Sequence, residues 1–520
     1  MEALGGLEPL DIRPSNTIGR GESDAGEKRV QFVCLFKSAE FESLAIIRHI
    51  ATDSAEGTNE EYYNKIFDRL FECTNVSIDF SFIGKHLFEE LERLLCECYG
   101  NGWQDEGIAE LGALDGQIFD KYISNIFSYM QQVVEDLNHD LEQLSEKFDF
   151  GRDNDIQIRM SFVPADPHHH AKMPVKLAIK LAFHSDRSDL TLFYKPRVMY
   201  FEQKICDASP TGLFYRLDRA NRGMGGGEIF ALPFPTYRIL ACTRDDGSHY
   251  GYSESIPGPT LYEEAEDSSG QPYDTRYYFR EGEGPLLTAA TLEEEIDRNR
   301  ESPTFFSRRE LSENLSLLHS DYLLFYILSR VRAGDVHAAN LICFEAGPDL
   351  KKEAAQLYPI DLECFDNSTA TVDRALLMVE MACRNRSIDV EHLKKAADTL
   401  LESCPGCLED FQKLKERYPC RCIPIDTQVL YDLRSLFMSR VYKEQSLSFS
   451  FAEQEGDPPE YKYKEFKSLL TRLQDGGYTV DDDLLAQAMH ESFQRFDVPY
   501  FDQLGDALFV DGTLVAKKKE

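Results

Sequence analysis

Gly334-Asp335-Val336-His337-Ala338-Ala339-Asn340, followed by Pro359-Ile360-Asp361-Leu362-Glu363, is the stretch from which the rest of the chain is read. A carboxylate and an amide oxygen come from one tight loop, at Asp335 and Asn340. The apolar run Leu357 to Ile360 reads as a strand, which sets Asp361 at a strand end. Phosphoryl transfer asks for little more than such a set, because its catalysis is positioning and charge neutralisation. Mg²⁺ takes carboxylate oxygens together with phosphate in octahedral geometry. On this reading Asp335 lies beside the attacking hydroxyl, while Asn340 and Asp361 are metal ligands. The alternative is a helix cap followed by ordinary polar residues. A phosphate-binding lysine upstream would favour the first reading.

Such a lysine is present in Phe193-Tyr194-Lys195-Pro196-Arg197. A strand-end Lys meets phosphate as a point charge, and Arg197 adds a fork of donors. Lys195, then the 335–340 loop, then Asp361, is the order of a kinase site.

Around these words the periodicity predicts an α+β protein. Residues 1–30 are rich in Gly, Glu, Ser and Pro and read as a flexible arm. Residues 31–150 read as a helical N-terminal segment, with Leu87, Leu91, Leu94 and Leu95 on one face and Ile118, Tyr122, Ile126 and Met130 on another. Residues 151–285 read as a β-rich lobe. Ile156, Ile158, Met160 and Phe162 alternate with polar residues, then Val175 to Leu181, then Leu190 to Tyr194. Further strands are expected at 228–231, 237–243, 250–255 and 277–281. Gly223-Met224-Gly225-Gly226-Gly227 reads as a surface loop in preference to a phosphate cover. Residues 286–520 read as mostly helical, through Leu311 to Val331, 372–418 and a pair over 460–496, with a short hairpin at the tail.

The 520 residues suffice for two or more domains or one large bilobal enzyme. A formal net charge of −35 argues against sequence-independent nucleic-acid binding, which needs a basic surface. No apolar run approaches a membrane span. The start Met1-Glu2-Ala3-Leu4 lacks a secretory signal, so a cytoplasmic location is expected. Thirteen cysteines, mostly in apolar segments, fit reduced core thiols. Cys404 and Cys407 have a zinc-knuckle spacing, but Cys420 and Cys422 make a poor second half. Plain thiols or a local disulfide are preferred to zinc there.

Several words together resemble one family. They are Asp166-x-His168, Tyr194-Lys-Pro-Arg197, Leu232-Pro-x-Pro-Thr-Tyr237, Tyr250-Gly-Tyr252, Tyr277-Tyr-x-Arg280, Asp335-x-His-x-x-Asn340, Asp361-x-Glu363, then Arg421, Thr427 and Tyr431, and Asp497-Val-Pro-Tyr-Phe501. In this order they resemble the dehydratase domain of class II lanthipeptide synthetases, the LanM-type enzymes, over residues of about 40 to 512. The resemblance implies a lipid-kinase-like bilobal core, with a β-rich N-lobe, a mostly helical C-lobe and added N-terminal helices. It implies ATP and Mg²⁺ as cofactors, and a precursor peptide with a Ser/Thr/Cys core as partner. Ser and Thr would be phosphorylated and the phosphate then eliminated, leaving dehydroalanine or dehydrobutyrine. The family's zinc cyclase domain has no counterpart segment here, so the chain reads either as a dehydratase-only protein with a separate cyclase as a further partner, or as an excised domain.

By matching positions, Asp335 would guide the hydroxyl proton and His337 would assist it, while Asn340 and Asp361 would hold Mg²⁺. Lys195 would bind phosphate with Arg197 and later stabilise charge at the peptide carbonyl. Asp166 and His168 resemble the pair tied to elimination, and Arg421 and Thr427 the pair that grips phosphate. The chain departs from the pattern at Ile425, where a second Arg is usual, and at Tyr252, where Trp is usual. The spacings from Asp166 to Lys195 and from Asn340 to Asp361 are long for the family. A LanM-like kinase acting on a protein or small molecule without elimination is the competing expectation. A peptide-binding scaffold is disfavoured, since it needs none of Lys195, Asp335, Asn340 and Asp361.

Overall fold

The computed structural model describes residues 32–36, 71–79, 113–150, 156–163, 168, 172–181, 190–223, 233–258, 260, 315–336, 340–344, 356–365, 370–422, 430, 433–434, 437, 464–495 and 497–519. Of the residues singled out above, Leu87, Leu91, Leu94, Leu95, Asp166, Met224 to Gly227, Leu232, Tyr277, Arg280, Leu311, His337, Ile425, Thr427 and Tyr431 lie outside them, as do the arm over 1–30 and the strands expected at 228–231 and 277–281.

The fold is α+β. Short strands β1 (Val33–Phe36), β2 (Phe71–Thr74) and β3 (Val76–Asp79) precede the long helix α1 (Ala113–Phe148). These strands fall in a stretch whose pattern predicts only helix. β1 and β2 are four-residue strands that pair with each other, too short to establish a period of their own.

Next come β4 (Ile156–Phe162), β5 (Val175–Leu181) and β6 (Leu190–Lys195), a meander whose alternation is the one read in the sequence. Helices α2 (Tyr200–Cys206) and α3 (Leu213–Gly223) follow, then β7 (Ile239–Thr243) and β8 (His249–Glu254). One six-stranded sheet has the order β3-β4-β5-β6-β8-β7, antiparallel except for the parallel β3–β4 pair. Pro196 cannot donate to a ladder, so β6 ends at Lys195 and leaves that side chain at the strand mouth.

Helix α4 (Leu315–Arg330) leads into the Asp335 loop, and the hairpin β9 (Leu341–Phe344) and β10 (Gln356–Pro359) follows. Helices α5 (Ala370–Asn385), α6 (Val390–Glu402) and α7 (Cys407–Arg417) then form the helical run expected over 372–418. After β11 (Cys420–Arg421) come α8 (Lys464–Asp475), β12 (Tyr478–Val480), α9 (Asp482–Phe493), β13 (Phe501–Leu504), β14 (Ala507–Val510) and β15 (Thr513–Lys518). The tail is thus more than the expected hairpin. It belongs to a five-stranded antiparallel sheet of order β11-β13-β14-β15-β12.

Two buried apolar clusters organise these elements. One joins α1 and the six-stranded sheet to the C-terminal sheet with α8 and α9. The other joins α2 to α7 with the β9–β10 hairpin. Core membership therefore does not follow chain order: residues 464–518 share a core with the β4–β6 meander. Along α1, Ile126, Met130, Val133, Leu137 and Leu144 are buried as a helical stripe. Its buried Asp136 and Asp140 accept hydrogen bonds from the hydroxyls of Tyr194, Tyr250 and Tyr252 on the sheet. Among the described residues no helix is long and apolar enough to cross a membrane.

Candidate functional site

Lys195, at the end of β6, is buried, and its ammonium lies 3.2 and 3.3 Å from the two oxygens of Glu202 and 2.7 Å from Asp361 Oδ1. Glu202 is in the first turn of α2 and is wholly buried. Two residues past Lys195, Arg197 Nη2 donates to Glu202 Oε2 at 2.9 Å and to Asp361 Oδ1 at 2.6 Å, and its Nε lies 3.1 Å from Glu363 Oε2. Its Nη1 is buried with no hydrogen-bond partner among the described residues. A buried guanidinium N–H without an acceptor is costly, so this donor fits an anionic oxygen. The Tyr237 hydroxyl, 2.9 Å from Glu202 Oε1 and 3.0 Å from the Pro359 carbonyl, ties α2 to the end of β10.

The metal-ligand candidates meet across the β9–β10 hairpin. Asn340 precedes β9, Asp361 follows β10, and the Ile360 amide donates to the Asn340 carbonyl at 2.9 Å. Asn340 Nδ2 donates to the Asp335 carbonyl at 2.9 Å. A carbonyl only accepts, so the amide nitrogen must face it, and the amide oxygen is left to act as a hard ligand. Asp361 Oδ2 has no partner among the described residues. One carboxylate and one amide oxygen suit Mg²⁺, which keeps waters and borrows phosphate oxygens. The surrounding ion pairs match three cations, Lys195, Arg197 and Arg421, with three carboxylates, Glu202, Asp361 and Glu363. An added polyphosphate therefore needs an added cation to stay balanced.

Both aspartates sit in the left-handed backbone region, Asp335 at φ +55° and Asp361 at φ +59°. Asp tolerates that region better than most residues, and such outliers cluster at functional sites. Burial works to raise the Asp361 carboxyl, but Lys195 and Arg197 outweigh it and hold the group well below the usual carboxylate range. Glu363 behaves alike: burial raises it, Arg197 and Arg421 pull it below its ordinary value, and Asp361 opposes them. Both stay ionised across the working pH range.

The elimination candidates reach the same cluster. Arg421 on β11 donates from Nη1 to Glu363 Oε1 at 2.6 Å, and its amide donates to the Glu363 carbonyl at 3.0 Å. Glu363 therefore links Arg197 and Arg421. The Tyr500 hydroxyl, just before β13, donates to Glu363 Oε2 at 3.1 Å. His168, from the β4–β5 connection, meets the Tyr500 ring edge-on at 5.0 Å between centroids, and its Nδ1 is 2.7 Å from the Val498 carbonyl. Since that carbonyl only accepts, Nδ1 carries the hydrogen, and in the neutral ring the basic lone pair is on Nε2.

The structure thus brings together Lys195, Arg197, Asp335, Asn340, Asp361, His168 and Arg421. Sequence reasoning missed Glu202, and it quoted Tyr237, Glu363 and Tyr500 without roles. A buried Glu seven residues after Lys195, in the helix that opens beyond Pro196, was the available signal for Glu202. Cys404, Cys407, Cys420 and Cys422 are buried free thiols. Among the described residues no group of three or more His, Cys, Asp or Glu side chains is placed to hold a metal ion.

The chain matches no protein-family model and no curated protein.

Proposed function

We propose that the protein is an ATP- and Mg²⁺-dependent peptide dehydratase of LanM type with a kinase-like bilobal core. It phosphorylates Ser and Thr of a precursor peptide and then eliminates the phosphate. The observation that carries the proposal is Glu363, one carboxylate bonded to Arg197 of the phosphoryl-transfer set and to Arg421 of the elimination set. Two half-reactions on one substrate oxygen require such adjacency.

The kinase half is supported by the Lys195–Glu202 pair. Protein kinases require a strand Lys paired with a helix Glu, a metal-binding Asp, and a loop Asp and Asn. Here Lys195 ends the third strand of an antiparallel meander, Glu202 is on the next helix, and Asp361, Asp335 and Asn340 are at hand. Two apolar cores suit a bilobal arrangement, with Tyr194 beside Lys195 in one and Leu362 beside Asp361 in the other.

Bound Mg²⁺-ATP supplies the phosphoryl group. Asn340 and Asp361 would hold the metal, and Lys195 and Arg197 would hold phosphate oxygens. Asp335 accepts or guides the proton of the attacking hydroxyl as its oxygen bonds to the terminal phosphorus of ATP, while the bond from that phosphorus to the bridging oxygen breaks and its electron pair leaves on ADP. For elimination, a base removes the α-proton and the C–H electron pair becomes the Cα=Cβ bond. The Cβ–O bond breaks, and its electrons leave on the phosphate oxygen. The proton finishes on the phosphate, so the products are alkene and hydrogen phosphate. Lys195 offsets charge at the peptide carbonyl, Arg421 grips the departing group, and His168 Nε2 exchanges the proton.

A kinase without elimination is the second reading, favoured by Ile425 where the family has a second Arg. Intact masses after incubation with ATP, Mg²⁺ and Ser/Thr/Cys-containing precursor peptides separate the two. Loss of water from the peptide supports the dehydratase. A product that keeps its phosphate supports the kinase alone.

A further inference from the structure

We propose that Tyr500 is the positioning residue of the elimination step, its ring holding the His168 imidazole and the Arg421 guanidinium on one phosphoester. The inference rests on the dehydratase reading and adds to it a residue with no role so far.

His168 and Arg421 come from separate elements and are far apart in the chain. His168 belongs to the β4–β5 connection and Arg421 to β11. Both meet at Tyr500. The His168 ring stands edge-on to the phenol ring, and the Arg421 guanidinium lies over that ring, 5.3 Å from its centroid. An aromatic face attracts a guanidinium, and a ring edge against another ring fixes orientation without a covalent tie.

The holder is itself held. Tyr500 is buried, and its hydroxyl donates to Glu363. Its amide donates to Asp511 Oδ1 at 3.4 Å, and the next residue's carbonyl accepts from the Cys422 amide at 2.8 Å. Asp497, three residues earlier, is wholly buried against Arg495. The 497–501 segment is thus pinned to β11 on one side, while its Val498 carbonyl bonds His168 on the other.

The phenol does not exchange protons itself. Burial and the Glu363 and Asp502 carboxylates push its pKa well above the usual value, against Arg421 and Arg197. It stays neutral and acts through its neighbours. Phosphoryl transfer uses Lys195, Arg197, Asp335, Asn340 and Asp361; the Tyr500 ring meets the two elimination residues, while its hydroxyl reaches the first set through Glu363, which also pairs with Arg197. Loss of the ring should therefore weigh on elimination far more than on phosphoryl transfer.

The test is a time course of intact masses on the full chain, with ATP, Mg²⁺ and a precursor peptide that the wild type dehydrates. Wild type, Tyr500→Leu and Tyr500→Phe are compared, with thermal melts to establish folding. Tyr500→Leu should phosphorylate within about twofold of wild type and accumulate phosphopeptide, with elimination about tenfold slower or more. Tyr500→Phe keeps the ring and loses only the hydroxyl, so its elimination should stay within about threefold. If Tyr500→Leu slows both steps together, or neither, the positioning role is overturned. If Tyr500→Phe alone loses elimination by tenfold or more, the hydroxyl is what matters and the ring role is overturned; this outcome stands even where the Leu variant does not fold. Wild-type protein that never dehydrates any precursor overturns the dehydratase reading itself, and shows as a failure in the wild-type lane.

Discussion

At the scale of single residues, charge decides most outcomes. Asp361 serves two cations and is the proposed carboxylate ligand of the metal. Asp361→Asn should abolish phosphorylation and lower the melting temperature, because it also leaves three clustered cations, Lys195, Arg197 and Arg421, facing only the carboxylates of Glu202 and Glu363. Phosphorylation at the wild-type rate, assayed well below both melting points, would sink the ligand assignment. Asp335→Ala should stop phosphorylation yet leave the affinity for a non-hydrolysable nucleotide largely unchanged, since a base acts in the chemical step. Joint loss of binding and turnover would make Asp335 a binding or folding residue. Asp502 faces Arg421 across the β11–β13 ladder, and its carboxyl is pushed up to about 8 by burial, Glu363 and Asp511, against Arg421. Its folded pKa is raised, so its stabilising contribution is full below the unfolded value of about 4 and is lost as pH rises through the folded value. The melting temperature of Asp502→Asn should therefore gain on wild type as pH climbs from about 5 to about 9. A pH-independent difference would contradict the shift.

At the scale of elements, the β6–α2 junction aims the site. Gly251 on β8 lies opposite both Lys195 and Ala241. A Cβ there would come within 2.5 Å of the Leu240 carbonyl and 2.8 Å of Met199 Cγ, just ahead of α2. Gly251→Ala should cost about 1–3 kcal/mol, the usual penalty of overpacking, and should slow phosphorylation by displacing Glu202 from Lys195. Urea melts and initial rates check the two effects, and a variant of wild-type stability and rate would show that the junction yields freely. The strands of this sheet were readable because Ile156 to Phe162 and Val175 to Leu181 repeat with period two. The Lys195–Glu202 pair was not, because a helix period tells which face of α2 is buried but not which strand end it meets. β1 to β3 and the strands β11, β12 and β13 that extend the tail hairpin into a sheet were missed for a related reason. Strands of two to four residues beside helical patterns carry too few alternations to stand out.

At the scale of the whole molecule, the site is a meeting of distant segments. Lys195, Asp361, Arg421 and Tyr500 come from four stretches of chain, and Glu363 and Asp361 join them through buried ion pairs and hydrogen bonds. The Lys, loop and strand-end Asp were legible as words in kinase order. That Arg421 and His168 reach them was legible only through family resemblance, since the ladder β11–β13 and the contact of His168 with Tyr500 span chain separations that no local pattern records. The measurement that tests the central claim most directly is an intact-mass time course of wild type and Arg421→Ala with ATP, Mg²⁺ and precursor peptide. Wild type should pass through a phosphopeptide to a dehydrated peptide. Arg421→Ala should consume ATP and accumulate the phosphopeptide, with dehydration slower by roughly 10²-fold, the scale of one lost stabilising donor. Wild type that halts at the phosphopeptide, or Arg421→Ala that dehydrates at the wild-type rate, would contradict a single site that both phosphorylates and eliminates.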